Sequence, residues 1–151
     1  YINQKGRESK GIVDAGEASE ALALQIKRQL TGLRDESHEE TAIHEVVTRS
    51  EAYNGPYTDD APDLIVGYNV GYRVAWDTAI GKTGEQVFSD NTKAWSGDHC
   101  IHPSLVPGIL FSNLRLNTNE ANIIDLAPTT LRLMGVPVPK YMDGKPLPCD
   151  D

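Results

Sequence analysis

The sequence predicts an α/β fold, a mixed sheet with flanking helices, on three observations. Leu22, Ile26, Leu30 and Leu33 recur at helical spacing and mark one apolar face. Leu64-Ile65-Val66-Gly67-Tyr68 and Ile109-Leu110-Phe111 are short apolar runs bounded by turn-forming residues, as in strands covered on both faces. Leu126, Leu131, Leu133 and Met134 supply the buried side of a second helix, which Gly135, Pro137 and Pro139 close.

In chain order, Tyr1-Ile2-Asn3 reads as part of a strand, and an opening without Met suits a processed product or an excised piece. A polar turn follows, then a short extended piece at Gly11-Ile12-Val13. Asp14 stands three residues before Glu17, the spacing of a capping box with Asp in place of Ser or Thr. The helix it starts is expected over residues 17–33, with Gly32 near its end and Lys27, Arg28 and Arg34 complementing the C-terminal dipole. Its apolar face is read as core packing. Residues 34–40 form an acidic turn in which His38 is a solvated side chain rather than a metal ligand.

A strand is expected over 41–48 through Ile43, Val46 and Val47, with His44 a surface or packing residue. Residues 50–61 are a loop, and its Asp59-Asp60 pair is read as solvated. Residues 64–68 give a buried strand, and the alternating segment 72–76 is expected to pair with it across Asn69-Val70-Gly71. A further strand is expected at 109–112. Asp125 caps the second helix, 125–134, and Pro128 falls at its third position, where the missing N–H costs nothing. The last dozen residues are an extended, Pro-rich tail.

At 151 residues the chain suffices for one ordinary domain. Its net charge of −8 argues against a nucleic-acid backbone as partner, since neutralising phosphates takes clustered Lys and Arg. A phosphorylated substrate would also meet a repulsive field, so a local cation is needed to hold one. No apolar run approaches the roughly 18 residues of a membrane span, and no membrane partner is expected. Two cysteines, Cys100 and Cys149, are too few for a disulfide scaffold, and free thiols are expected ahead of the alternative of a single bridge between them.

The stretch from Asp90 to Asn113 carries the chemistry. A polar loop passes through Gly97-Asp98-His99 and His102-Pro103, then runs through Val106-Pro107-Gly108 onto the expected strand. His99 and His102 are three apart and Asp98 is adjacent, and both residue types suit zinc and similar ions. No Cys-x-x-Cys, His-Glu-x-x-His, phosphate-loop or Gly-x-Ser-x-Gly pattern supplies the rest of a site.

Three pieces in this order resemble the C-terminal part of the type I phosphodiesterase/nucleotide pyrophosphatase group of the alkaline phosphatase superfamily. They are Gly97-Asp98-His99 with Pro107-Gly108-Ile109-Leu110, then Ile124-Asp125-Leu126-Ala127-Pro128-Thr129-Thr130-Leu131 with Leu133-Met134-Gly135-Val136-Pro137-Val138-Pro139, and finally Tyr141-Met142-Asp143-Gly144-Lys145-Pro146-Leu147. The opening 1–13 resembles a segment downstream of the main metal-binding motifs in some bacterial members. The resemblance implies a two-metal phosphoester or sulfoester hydrolase with divalent ions, usually zinc, and a Thr or Ser nucleophile. His99 matches the Gly-x-His position, a late metal ligand, while Asp98 and His102 match no family ligand. The nucleophile and the remaining ligands are absent, and no Asp-His-Gly motif occurs. The chain is therefore expected to be a C-terminal segment, inactive without an N-terminal portion or another subunit, whose complete form acts on a small-molecule phosphoester. The competing class is a non-catalytic structural or binding module that keeps part of the fold.

Overall fold

The computed structural model describes residues 1–95, 97–99 and 101–149, which form an α/β structure of short helices and small antiparallel sheets. The chain divides into two compact units, Tyr1–Pro107 and Gly108–Asp151.

In the first unit, helix α1 (Glu17–Leu30) starts where its spacing predicts. Asp14 is not its cap, because that carboxylate pairs with Lys5 at 2.7 Å, and Gly16 at φ 79° makes the entry instead. The helix stops three residues short of the expected end. Thr31 is extended and its hydroxyl accepts the Val46 N–H at 3.1 Å, after which Gly32 turns the chain at φ 75°. Ser19 and Ala23 are the buried positions, with Leu22, Ile26 and Leu30 half-buried along the same stripe.

The expected strand 41–48 is interrupted. Strands β1 (Arg34–Asp35) and β2 (Glu40–Thr41) form one small hairpin, and β3 (Ile43–Thr48) forms another with β4 (Leu64–Tyr68). Ala42 stands between them, its N–H donating to the Leu33 carbonyl and its own carbonyl accepting from Asn69. Among the described residues both ladders are antiparallel, and the one parallel feature beside β4 is an isolated bridge from Tyr68 to Ile101. The expected mixed sheet is thus reduced to that bridge. Val46 is fully buried under α1, and Ile2, Ala42 and Ile43 complete a small core.

Asp63, just before β4, ties the unit together. It accepts the Ile2 N–H at 2.6 Å, both Arg7 nitrogens at 2.7 and 2.9 Å, and Arg49 at 2.6 Å. The Arg7 guanidinium, outweighing the cost of burial, holds this carboxyl at about 2. Helix α2 (Arg49–Ala52) carries a capping box between Thr48 and Glu51. Lys27 of α1 pairs with Glu51 and, with the Thr48 donors, also brings its carboxyl to about 2.

Residues 72–76 are not a strand. The edge of β4 is taken at Tyr68 by Ile101, and Trp76–Ile80 coils into a 3₁₀ turn. Nor do residues 109–112 form one. They find no ladder to join, so Ile109 and Phe111 stand 82% and 90% exposed where a buried strand was expected.

In the second unit, Asn122 and Asp125 cap a 3₁₀ turn that leads into α3 (Leu126–Leu133). Asp125 acts through both oxygens, accepting the Asn122 N–H at 3.1 Å and the Lys145 N–H at 2.8 Å. The buried side of α3 is not the expected Leu126, Leu131, Leu133 and Met134. Pro128 and Thr129 are buried and Leu131 half-buried, while Leu126, Leu133 and Met134 are exposed. A single extended tail covers one side of an eight-residue helix and no more. The tail packs so closely that a Cβ on Gly144 would lie 2.1 Å from the Ile124 carbonyl oxygen.

Cys149 is a free thiol, and Cys100 lies outside the described residues. Among the described residues no helix is long and apolar enough to cross a membrane.

Candidate functional site

The Gly97-Asp98-His99 turn is held from 24 residues upstream by a residue the alternating pattern had assigned to a strand. Arg73 donates to the Gly97 carbonyl at 2.8 Å, and its Nε lies 3.3 Å from an Asp98 oxygen. The guanidinium also lies over the Trp76 ring, 4.5 Å from its centroid. The side chains of Arg73 and Asp98 are only 15% and 16% exposed although Asp98 as a residue lies open, so this ion pair is better shielded than a fully solvated surface contact. The other Asp98 oxygen accepts the His99 N–H at 2.7 Å.

With the turn fixed from behind, His99 is exposed. It lines an open groove of about 420 Å³ with Ala94, Trp95, Gly97 and Asp98. One imidazole beside a carboxylate engaged at both oxygens does not make the four ligands a zinc ion takes. Among the described residues no group of three His, Cys, Asp or Glu side chains is placed to hold a metal ion. These residues do not fit a whole metal centre.

His102 is turned to other partners. Its ring packs over Gly67 and 4.6 Å from the His44 ring, with Glu45 and Ser104 at its two nitrogens. The structure therefore separates the two loop histidines that spacing had grouped. His44, expected as a surface or packing residue, is exposed and packs against the His102 ring. Nothing in the sequence marks the β-bulge at His44 or the reach of Arg73 to the loop.

The fourth histidine, His38, has a defined electrostatic setting. His38 Nδ1 lies 2.9 Å from Asp35, which is only 3% exposed and also accepts from the Ser37 N–H and the Tyr72 hydroxyl. The acidic turn expected to be solvated has a buried carboxylate at its start. Burial pushes the Asp35 carboxyl up, but His38, Ser37 and Tyr72 together hold it below the usual range. The same hydrogen bond raises His38. Burial, then Asp35, raises the Tyr72 phenol.

No protein-family model matches the chain, and no solved structure matches it. Over 50 residues, 32% of its length, the chain is 48% identical to a 2,3-bisphosphoglycerate-independent phosphoglycerate mutase of Aeromonas salmonicida (strain A449). The chain spans about a tenth of the length of that curated relative. The likeness is thus partial, and it is to an enzyme of the alkaline phosphatase superfamily.

Proposed function

We propose that this chain is the C-terminal segment of a metal-dependent phosphoester hydrolase of the type I phosphodiesterase/nucleotide pyrophosphatase group. The observation that carries this reading is His99, exposed on a turn that Arg73 clamps from behind. A side chain fixed at its backbone and open at its ring suits a ligand that closes a site with groups from elsewhere. The partial likeness to a phosphoglycerate mutase supports phosphoryl chemistry. The order of the Gly97-Asp98-His99, Asp125-to-Thr130 and Met142-to-Lys145 pieces supports the narrower group.

In the complete enzyme His99 would hold one of two divalent ions, usually zinc in this group, with an N-terminal portion or another subunit supplying the other ligands and the nucleophile. Such ions neutralise charge on the transferring group and activate the nucleophile. Arg73 is a positioning residue, keeping the Gly97 carbonyl and Asp98 in place so that the His99 backbone does not drift. The substrate is a small-molecule phosphoester, and a cation is needed beside it because the chain carries a net charge of −8.

One imidazole cannot fix two ions and align a nucleophile. With zinc chloride added, the isolated 151 residues should leave bis-p-nitrophenyl phosphate and p-nitrophenyl phosphate unhydrolysed. Metal-stimulated turnover by the isolated chain would overturn the reading.

A further inference from the structure

Residues 82–95 connect the 3₁₀ turn at Trp76–Ile80 to the His99 turn, and among the described residues no helix or ladder fixes their backbone. Their far end matters to the candidate site, because Ala94 and Trp95 form one wall of the groove that His99 lines. Residues 97–99, the rest of that lining, are clamped by Arg73. The arm that carries Ala94 and Trp95 is tethered by side chains instead. The Phe88 ring meets the Tyr72 ring edge-on, with 6.0 Å between centroids. An Asp90 oxygen lies 3.5 Å from His38 Nε2. Beyond Asp90 the chain folds on itself. The Asn91 side-chain nitrogen donates to the Trp95 carbonyl at 2.8 Å, and its oxygen accepts the Lys93 N–H at 3.2 Å. The position of Asp90 is thus passed to Trp95 through one short turn.

Both tethers stand on one carboxylate. Asp35 accepts the Tyr72 hydroxyl at 3.2 Å and lies 2.9 Å from His38 Nδ1. An ionised carboxylate only accepts, so Nδ1 carries its hydrogen in both charge states of the ring. Only Nε2 changes when His38 titrates. In the imidazolium, Nε2–H faces Asp90 and the ring joins two carboxylates. In the neutral ring, Nε2 presents a lone pair to an anionic oxygen, and the contact repels. Asp35 does most to raise His38, against the cost of burial, and Asp90 and Glu40 add to it. The Tyr72 phenol is raised by burial and then by Asp35, so it stays a donor while His38 titrates and the Phe88 contact keeps its support.

We propose that His38 is a pH-dependent latch on one wall of the His99 groove. Protonated, it joins Asp35 to Asp90 and holds residues 88–95 in place. Neutral, it releases Asp90 and leaves the arm to the contact between Phe88 and Tyr72. The arm is therefore ordered below the folded value of His38 and loosens above it. The His38 and Asp90 side chains are 55% and 79% exposed, so the latch shifts the balance between held and released arm by no more than about five-fold. A shift of that size changes the groove wall without unfolding the chain. The latch does not rest on the hydrolase reading, since it concerns the shape of the groove and not what the groove holds.

Nitrogen-15 relaxation of the 151-residue chain, recorded from about pH 5 to about pH 8 beside the histidine ring titrations, tests this. The amides of residues 89–95 should lose order as pH rises, with the midpoint of His38 and not that of His44, His99 or His102. Asp90→Ala removes an exposed side chain, and His38→Gln keeps a donor for Asp35 but cannot titrate. Both should abolish the transition while far-UV circular dichroism stays unchanged, and His38 should still titrate in Asp90→Ala. His99→Ala should leave the transition intact, which separates the latch from titration of the proposed ligand. Amide order that stays constant through the His38 titration would overturn the proposal, as would a transition that survives Asp90→Ala or His38→Gln, or one that His99→Ala removes.

Discussion

Asp35 is the residue at which burial and hydrogen bonding oppose each other most directly. Its carboxylate is nearly inaccessible, yet three donors keep it ionised, and the His38 imidazole is raised in return. The sign for stability follows from His38. Its contribution is complete below the unfolded value near 6.5 and fades as pH rises through the higher folded value. An NMR titration should place His38 above 6.5 in the native chain, and Asp35→Asn should return it toward 6.5. An unchanged His38 in that variant would dismiss the pairing. At this scale the sequence was partly legible. The Gly97-Asp98-His99 spacing picked out an exposed histidine, but the crowd of acids at 35–40 looked solvated because the Tyr72 hydroxyl arrives from far along the chain.

The helices were the legible elements, because a 3.6-residue period and a closing glycine are local signals. The strands were less so. Apolar alternation at 72–76 and the apolar run at 109–111 carry a strand pattern, but a local pattern does not supply a pairing partner, and the bridge beside β4 at Tyr68 is made by Ile101 instead. The second unit depends on a hydrogen-bond chain that sequence period does not reveal. Thr129 donates to the Asp125 carbonyl and accepts the buried Leu147 N–H at 2.8 Å. Thr129→Val keeps the shape and leaves that N–H unpaired, at a cost of about 1–3 kcal/mol. Hydrogen exchange should show the Leu147 amide losing protection in the variant. Unaltered exchange would mean the tail is held by packing alone.

Across the whole chain, apolar surface remains uncovered. Ile109, Phe111 and Met134 are all at least 73% exposed, although their spacing belongs to elements expected to be buried. This is what a segment that packs against further structure should show. The isolated chain should bind an apolar dye and self-associate, and Phe111→Ser should reduce both. Equal dye binding in that variant would place the sticky surface elsewhere.

The central proposal is that His99 ligates a metal in a complete hydrolase, and its most direct measurement is metal-stimulated hydrolysis of bis-p-nitrophenyl phosphate by the proposed complete enzyme, this chain joined to the N-terminal portion the proposal requires. Loss of a supporting partner alone costs about 10- to 100-fold at such sites, and loss of a ligand should cost more. Turnover by that complete enzyme, with His99→Ala reducing it beyond that range, is the predicted result. Full turnover in His99→Ala would contradict it.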